Sequence, residues 1–391
     1  MRRSCFIGFF GVLLGFLLVA GALSIMPSRQ VPLPPVSVPV PTPTAPSQHQ
    51  AHLIRPPRPA APNIAVSGGT LAVAPAEAPA DECARVEEAI DGEYALTFFN
   101  ARDRAAFEAM ASRYGIRIID RLAVANALRI TAPDADALRA LLKAAPMPLT
   151  FLPNIHVRLP PLPEGPAATA PDVPYTGFGN GALAWLGVPD PASDWGRGIR
   201  VAVLDTGIPS AFPGRVGYRV DLTGTGFGQA QHGGAVASLI SGLQGMVPGA
   251  ELLDIKVLTD GGSGDAFTLA RGIIEAVDRG ARLINISAGT RGDSPVLRAA
   301  VAYAIERKVM LVAATGNDGR PGVLYPSGYG GVVAVGGVDA AGRHLYFSNT
   351  GPAVDLSAPG IGVAVPAAQD GGVASFSGTS AAAPFVTAAA A

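Results

Sequence analysis

The chain has 391 residues and a formal net charge of −1, from 29 basic and 30 acidic side chains. That balance does not point to nucleic acid, and the two cysteines, Cys5 and Cys83, imply no disulfide framework. Hydrophobic residues make up 49%, enough for a sizeable core, and the length allows two or three domains.

The N-terminus carries Arg2 and Arg3 ahead of an uncharged run from Cys5 to Met26. That run is long enough to span a bilayer, and the arginines would stay on the cytoplasmic side. Ala20-Gly21-Ala22 also fits a signal-peptidase site, and the arginine pair leaves twin-arginine export open. Residues 1–26 are therefore predicted to be a signal peptide or membrane anchor, with the anchor preferred for the length of the run. Either places the rest of the chain outside the cytoplasm, membrane-anchored or secreted. Residues 27–80 are dense in proline and alanine and read as an extended, semi-rigid linker.

A small α+β module is predicted over residues 81–159. Glu93 to Phe99 reads as a strand. Arg102 to Tyr114 reads as a helix ended by Gly115, with Phe107 and Met110 on its apolar face. Two strands follow, Ile116 to Asp120 and Asn126 to Thr131. A second helix starts at Pro133 and Asp134 and presents Leu138, Leu141 and Leu142, and Leu149 to Leu159 is extended. The order β-α-β-β-α-β is a split βαβ, ferredoxin-like arrangement. Residues 160–180, rich in Pro, Gly, Ala and Thr, read as an exposed linker open to proteolytic nicking.

From residue 181 to 391 strand and helix patterns alternate. Gly198 to Leu204, Leu252 to Val257, Leu283 to Ser287, Val309 to Ala314 and Val332 to Val335 read as strands. Helices are predicted after His232, after the cap Asp265 and after Ser294-Pro295. The fold class is α/β, a parallel sheet flanked by helices. In such sheets functional residues gather where strands end, and Asp205, Ser287 and Asn317 all follow predicted strand ends.

The stretch with the clearest chemistry is Phe376-Ser377-Gly378-Thr379-Ser380-Ala381-Ala382-Ala383-Pro384. Ser380 sits at the start of a helix, where free N–H groups and the helix dipole favour negative charge. A nucleophilic serine and a plain helix cap at Thr379 are both open on this stretch alone. Two further stretches decide between them: Val201-Ala202-Val203-Leu204-Asp205-Thr206-Gly207 and Gln231-His232-Gly233-Gly234-Ala235-Val236-Ala237. With these, the chain resembles the subtilisin-like serine peptidases, whose triad runs Asp, His, Ser. SGTSAAAP and VAVLDTGI match that family closely, while HGGAVA stands where the family usually has HGTHVA.

The resemblance implies roles. Ser380 is the expected nucleophile, His232 its base and Asp205 the group that orients the imidazole. Asn317, in Ala314-Thr315-Gly316-Asn317-Asp318-Gly319, is the expected oxyanion donor. Gly262-Ser263-Gly264 and Ser287-Ala288-Gly289 are the expected edges that hold an extended polypeptide substrate by main-chain hydrogen bonds. Aligned on Tyr325-Pro326, Leu324 falls where relatives commonly have glycine at the floor of the specificity pocket. The 81–159 module becomes a propeptide, a chaperone and inhibitor of its own catalytic domain, so the expected partners are polypeptides, this propeptide and, through the N-terminus, a membrane.

No nucleic acid, cofactor or metal is expected. The short stretch Gly242 to Pro248 lacks the oxygen ligands a calcium loop needs. Asp205-Thr206-Gly207 alone would also suit an aspartic peptidase, but that chemistry needs a second such aspartate and none occurs. A catalytically silent peptide-binding module of the same fold is the alternative. The helix from Ser380 is apolar nearly all round, and nothing after Ala391 covers it, which implies a catalytic domain truncated at its C-terminus.

Overall fold

The computed structural model describes residues 88–391 other than 133, 145, 163–173, 189, 229, 243–244 and 368–371. The apolar run over 5–26, both cysteines and the proline-rich stretch over 27–80 lie outside the described residues. Among the described residues no helix is long and apolar enough to cross a membrane.

Strands β1 (Ala89–Phe98), β2 (Arg117–Leu122), β3 (Ala127–Thr131) and β4 (Leu149–Arg158) form an antiparallel sheet ordered β2-β3-β1-β4. Helices α1 (Ala101–Ala111) and α2 (Ala135–Ala144) follow β1 and β3. Leu96, Phe98, Phe107, Leu128, Ile130, Leu138 and Leu141 bury together between sheet and helices. Each contributes about 1.5–3 kcal/mol by leaving water. Asn100 caps α1 by accepting from the Asp103 amide, and Asp134 accepts from Ala137 at the start of α2. The helix expected to reach Tyr114 tightens after Ala111 into a 3₁₀ turn over Ser112–Tyr114. Gly115 then ends it in the left-handed region at φ 69°. Beyond this module the chain enters a single helical turn, α3 (Ala182–Trp185), before the larger sheet begins.

The larger sheet has seven parallel strands: β5 (Arg200–Asp205), β6 (Val216–Asp221), β7 (Glu251–Lys256), β9 (Leu283–Ile286), β10 (Met310–Ala314), β11 (Val332–Val338) and β12 (Leu356–Pro359). Their order is β12-β11-β10-β9-β5-β7-β6. Both faces are covered, so the central strands read as continuous apolar runs rather than alternating ones. Ala202 and Leu204 of β5 pack with α5 (Ala266–Asp278) and α6 (Pro295–Glu306). Val201 and Val203 point the other way, toward α4 (Gln231–Ile240). The chain order reverses at β5, whose neighbours are β7 and β9. Their carboxyl ends form the crevice at which the proposed site residues sit.

Three features differ from expectation. β8 (Ser263–Asp265) is a strand only because β4 pairs with it, His156 opposite Asp265 and Arg158 opposite Ser263, so the smaller sheet runs on into the larger half. Part of the segment expected as linker is docked: Phe178 and Gly179 donate to Ile361 and Gly362, beside the hairpin of β13 (Val363–Pro366) and β14 (Val373–Phe376). The third concerns α7 (Thr379–Ala389), expected to lack cover. Ala381, Ala382, Ala383 and Phe385 are buried against Ala235 and Leu239 of α4, Val312 and Ala314 of β10 and Val335 of β11. The sheet face itself supplies the apolar surroundings that the helix needs.

Candidate active site

Asp205 ends β5 and is fully buried. Its Oδ1 accepts from the Thr206 amide at 2.7 Å, and its backbone carbonyl accepts from Val257 and Leu258. The buried Lys256 ammonium donates to the Thr206 carbonyl at 2.8 Å, which holds the turn after the strand.

His232 is the second residue of α4. Its Nδ1 lies 2.9 Å and 3.0 Å from the two Asp205 carboxylate oxygens. The ring meets Phe376 edge-on at 5.2 Å. The helix can come this near the aspartate only because residue 233 is glycine. A Cβ there would lie 2.1 Å from the Gly207 carbonyl oxygen, and the Gly233 amide instead donates to Thr206 Oγ1 at 3.1 Å. The second glycine of HGGAVA has its own cause. A Cβ at Gly234 would lie 2.8 Å from the ring of Pro209, so the unusual glycine matches a proline in the aspartate loop.

Ser380 lies at the second position of α7. The cap is Gly378 at φ 117°, a conformation that favours glycine, so Thr379 is not a cap. Thr379 instead fixes Asn317: its amide and hydroxyl both donate to Asn317 Oδ1 at 2.9 Å, and its Oγ1 accepts from the Gly316 amide. With Oδ1 so used, the Asn317 side-chain amide faces the crevice. The Ser380 hydroxyl donates to the Ser287 carbonyl at 3.1 Å, and no hydrogen bond joins it to His232. Asn285, Ser287 and Thr387 form a buried hydrogen-bonded chain beneath it.

The crevice is occupied by the chain itself. At the end of β4, Arg158 exchanges two 3.0 Å hydrogen bonds with Gly289, and the Leu159 amide donates to Gly262 at 2.9 Å. Val157 lies opposite Gly264, and Asn317 Nδ2 donates to the Pro160 carbonyl at 2.9 Å. Of the expected edge residues, Gly262, Ser263, Gly264 and Gly289 thus flank residues 157–160, and Ser287 faces Ser380. Ala288 turns its side chain into the core, leaving only its backbone for the crevice. Leu324 is buried at 8% exposure. Its side chain fills the gap between two glycines, since a Cβ at Gly289 would meet Leu324 Cβ at 2.7 Å and one at Gly316 would meet its Cγ at 2.8 Å.

Further contacts tie the smaller sheet to the larger half. Arg129 pairs with Glu93 at 2.7 Å and with Asp265, the cap of α5, at 3.1 Å, and Asn154 donates to the same aspartate. Glu88 accepts from the Thr290 hydroxyl and the Arg291 amide.

Sequence reasoning passed over Asp254 and Arg219. Asp254 is fully buried on β7, beside β5. It accepts from the Ile208 amide at 3.0 Å and faces Arg219 at 3.3 Å, while its other oxygen has no hydrogen-bond partner. Arg219 also donates to the Ile208 and Pro209 carbonyls, so the pair grips the loop that follows Asp205. Burial pushes the Asp254 carboxyl up to about 7, and the nearby Asp205 charge adds to this. The Ile208 amide, Arg219 and Lys256 oppose it. A lone aspartate within the apolar run Leu252-Leu253-Asp254-Ile255 was the available signal. Among the described residues no cluster of His, Cys, Asp or Glu is placed to hold a metal ion.

Residues 196–391 match the model of the subtilase family of peptidases. The chain is 39% identical over 201 residues to a thermostable alkaline protease of Halalkalibacterium halodurans, covering 49% of this chain and 55% of that one. It is 37% identical over 211 residues to subtilisin Savinase of Lederbergia lenta, covering 50% of this chain and 76% of that one. The chain thus spans about half the length of the thermostable protease. Among solved structures, fervidolysin from Fervidobacterium pennivorans, described as a keratinolytic enzyme related to subtilisin, superposes with a TM-score of 0.63. That match has 23% identity and covers 78% of this chain and 54% of that one, a likeness of fold.

Proposed function

The chain belongs to the subtilase family, and from that premise we propose that it is a serine endopeptidase acting through Asp205, His232 and Ser380. His232 takes the hydroxyl proton as Ser380 Oγ attacks the substrate carbonyl carbon. Asp205 holds the ring by Nδ1, leaving the far nitrogen for Ser380, and stabilises the imidazolium that forms. The tetrahedral oxyanion takes hydrogen bonds from Asn317 Nδ2 and the Ser380 amide. His232 then returns the proton to the leaving amine, and water hydrolyses the acyl-enzyme by the same route. The Ser380 hydroxyl must first leave the Ser287 carbonyl for the imidazole.

The observation that carries this reading is the Asn317 amide donating to a peptide carbonyl, that of Pro160, at 2.9 Å. The segment leading to that carbonyl is held as an extended substrate would be, by Gly262 and Gly289. Residues 81–159 act as the propeptide, docked through Arg129, Asn154 and Glu88, and residues 181–391 are the catalytic domain. Leu324 narrows the pocket that receives the side chain before the scissile bond, which favours small residues there. The enzyme works outside the cytoplasm, anchored or released according to whether residues 1–26 are cleaved. The test is hydrolysis of an unstructured polypeptide by the chain and by Ser380→Ala and His232→Ala. Loss in both supports the triad, and turnover retained in either refutes it.

A further inference from the structure

The tail that fills the crevice carries prolines on both sides of the bond that follows the Asn317-bound carbonyl. Arg158 and Gly289 form a doubly hydrogen-bonded antiparallel pair, each amide donating to the other's carbonyl at 3.0 Å. Such pairs recur every second residue, so the next one sets residue 160 opposite Ser287. A residue with an N–H would there donate to the Ser287 carbonyl. Pro160 has none. That carbonyl accepts the Ser380 hydroxyl instead, at 3.1 Å, and the hydroxyl is not bonded to His232. The missing donor of the tail thus leaves an acceptor that draws the nucleophile away from its base.

The second proline is Pro161. With the Pro160 carbonyl on Asn317, the bond set before Ser380 is Pro160–Pro161. Breaking it would expel the Pro161 nitrogen, which must receive the His232 proton. That nitrogen carries a ring carbon where another residue carries hydrogen, which crowds the approach of a proton donor. Proline also restricts the residue before it to extended geometry, so the pair is stiff and cannot turn to offer another face.

We propose that Pro160 and Pro161 form a lock: the tail occupies the crevice as a substrate does, yet its bond resists hydrolysis, so residues 157–160 remain an inhibitor after the chain is cut elsewhere. This rests on the peptidase reading above. Pro160 diverts the Ser380 hydroxyl and Pro161 blocks proton delivery to the leaving nitrogen. Processing therefore falls at a bond other than Pro160–Pro161, and the released module still blocks the site through residues 157–160.

The test uses the full chain, its Pro160→Ala/Pro161→Ala variant, and both again with Ser380→Ala. Intact-mass measurement follows the fragment that starts at residue 161. The parent should show none, and the double variant should show it at a rate higher by about 10²-fold or more, the size of a lost proton-transfer step. Ser380→Ala should remove it. A parent cut at 160–161 as fast as the variant overturns the lock. In case the variant folds poorly, a peptide with the sequence of residues 157–162 is added to the processed chain after the released module has been removed, beside one with alanine at both proline positions. The proline peptide should slow hydrolysis of a reporter peptide and stay whole, and the alanine peptide should be consumed. Hydrolysis of the proline peptide, with the reporter also turned over, refutes the lock alone. No turnover of reporter or alanine peptide, with no Ser380-dependent labelling by a fluorophosphonate, refutes the peptidase reading and the lock with it.

Discussion

Replacing Asp254 with asparagine should stabilise the protein in a pH-dependent way. Asp254 is fully buried, one of its oxygens has no partner, and burial lifts its carboxyl from 3.8 to about 7. Between those values the folded chain holds a proton at Asp254 that the unfolded chain has released. Stability therefore falls as pH rises through this window and is flat on either side. At about 1.4 kcal/mol per pH unit, a span of about three units amounts to about 4 kcal/mol. Asparagine keeps an acceptor for the Ile208 amide and cannot ionise, so Asp254→Asn lacks this loss. Urea unfolding from pH 4 to pH 9, in a Ser380→Ala background to prevent self-digestion, measures it. The stability of the asparagine variant relative to the parent should rise by about 4 kcal/mol across the window. A difference that stays constant with pH would mean that Arg219 keeps Asp254 ionised throughout, and the reasoning would fail.

Asn317→Ala should lower kcat by roughly 10²–10³ with little change in KM, the magnitude known for such a donor in subtilisin, and a variant with parental kcat would leave Asn317 only a turn residue. Leu324→Gly should open the space between Gly289 and Gly316 and shift cleavage toward aromatic residues before the scissile bond; efficient cleavage after Phe or Tyr by the parent enzyme contradicts this. Gly233→Ala should cost about 1–3 kcal/mol of stability and move His232 from Asp205, because the methyl has no room beside the Gly207 carbonyl. Parental stability and turnover in that variant would mean α4 shifts freely. Active preparations should begin between about Leu159 and Asn180, at a position other than Pro161, as mass spectrometry of the N-terminus would reveal, and Ser380→Ala should abolish that cut.

The parallel sheet was legible because its central strands are buried on both faces. Runs such as Val201 to Leu204 and Leu311 to Ala314 need no partner to be recognised. The strand ends then pointed to Asp205, Ser287 and Asn317 without reference to any motif. β8 was not legible as a strand, because Ser263-Gly264-Asp265 is extended only through pairing with β4, more than a hundred residues earlier in the chain. The Asn317 contact with Pro160 spans 157 positions and left no local mark. Ser294 heads α6 as expected, but its side chain makes no capping bond; its amide donates to the Tyr329 hydroxyl. The burial of α7 was misjudged because amphipathicity describes a surface helix. This helix is enclosed by strands and by α4, so an apolar circumference is what its position requires.

The central claim is that Ser380 is a nucleophile activated by His232 and Asp205. A fluorophosphonate reacts only with a serine so activated, and its adduct can be assigned to a residue by peptide mass mapping. Over a time course with the processed chain, separated from the module that fills its crevice, a single adduct should form, on Ser380. It should be absent in Ser380→Ala and strongly reduced in His232→Ala. An adduct on another residue, or equal labelling of the Ser380→Ala chain, would contradict the claim.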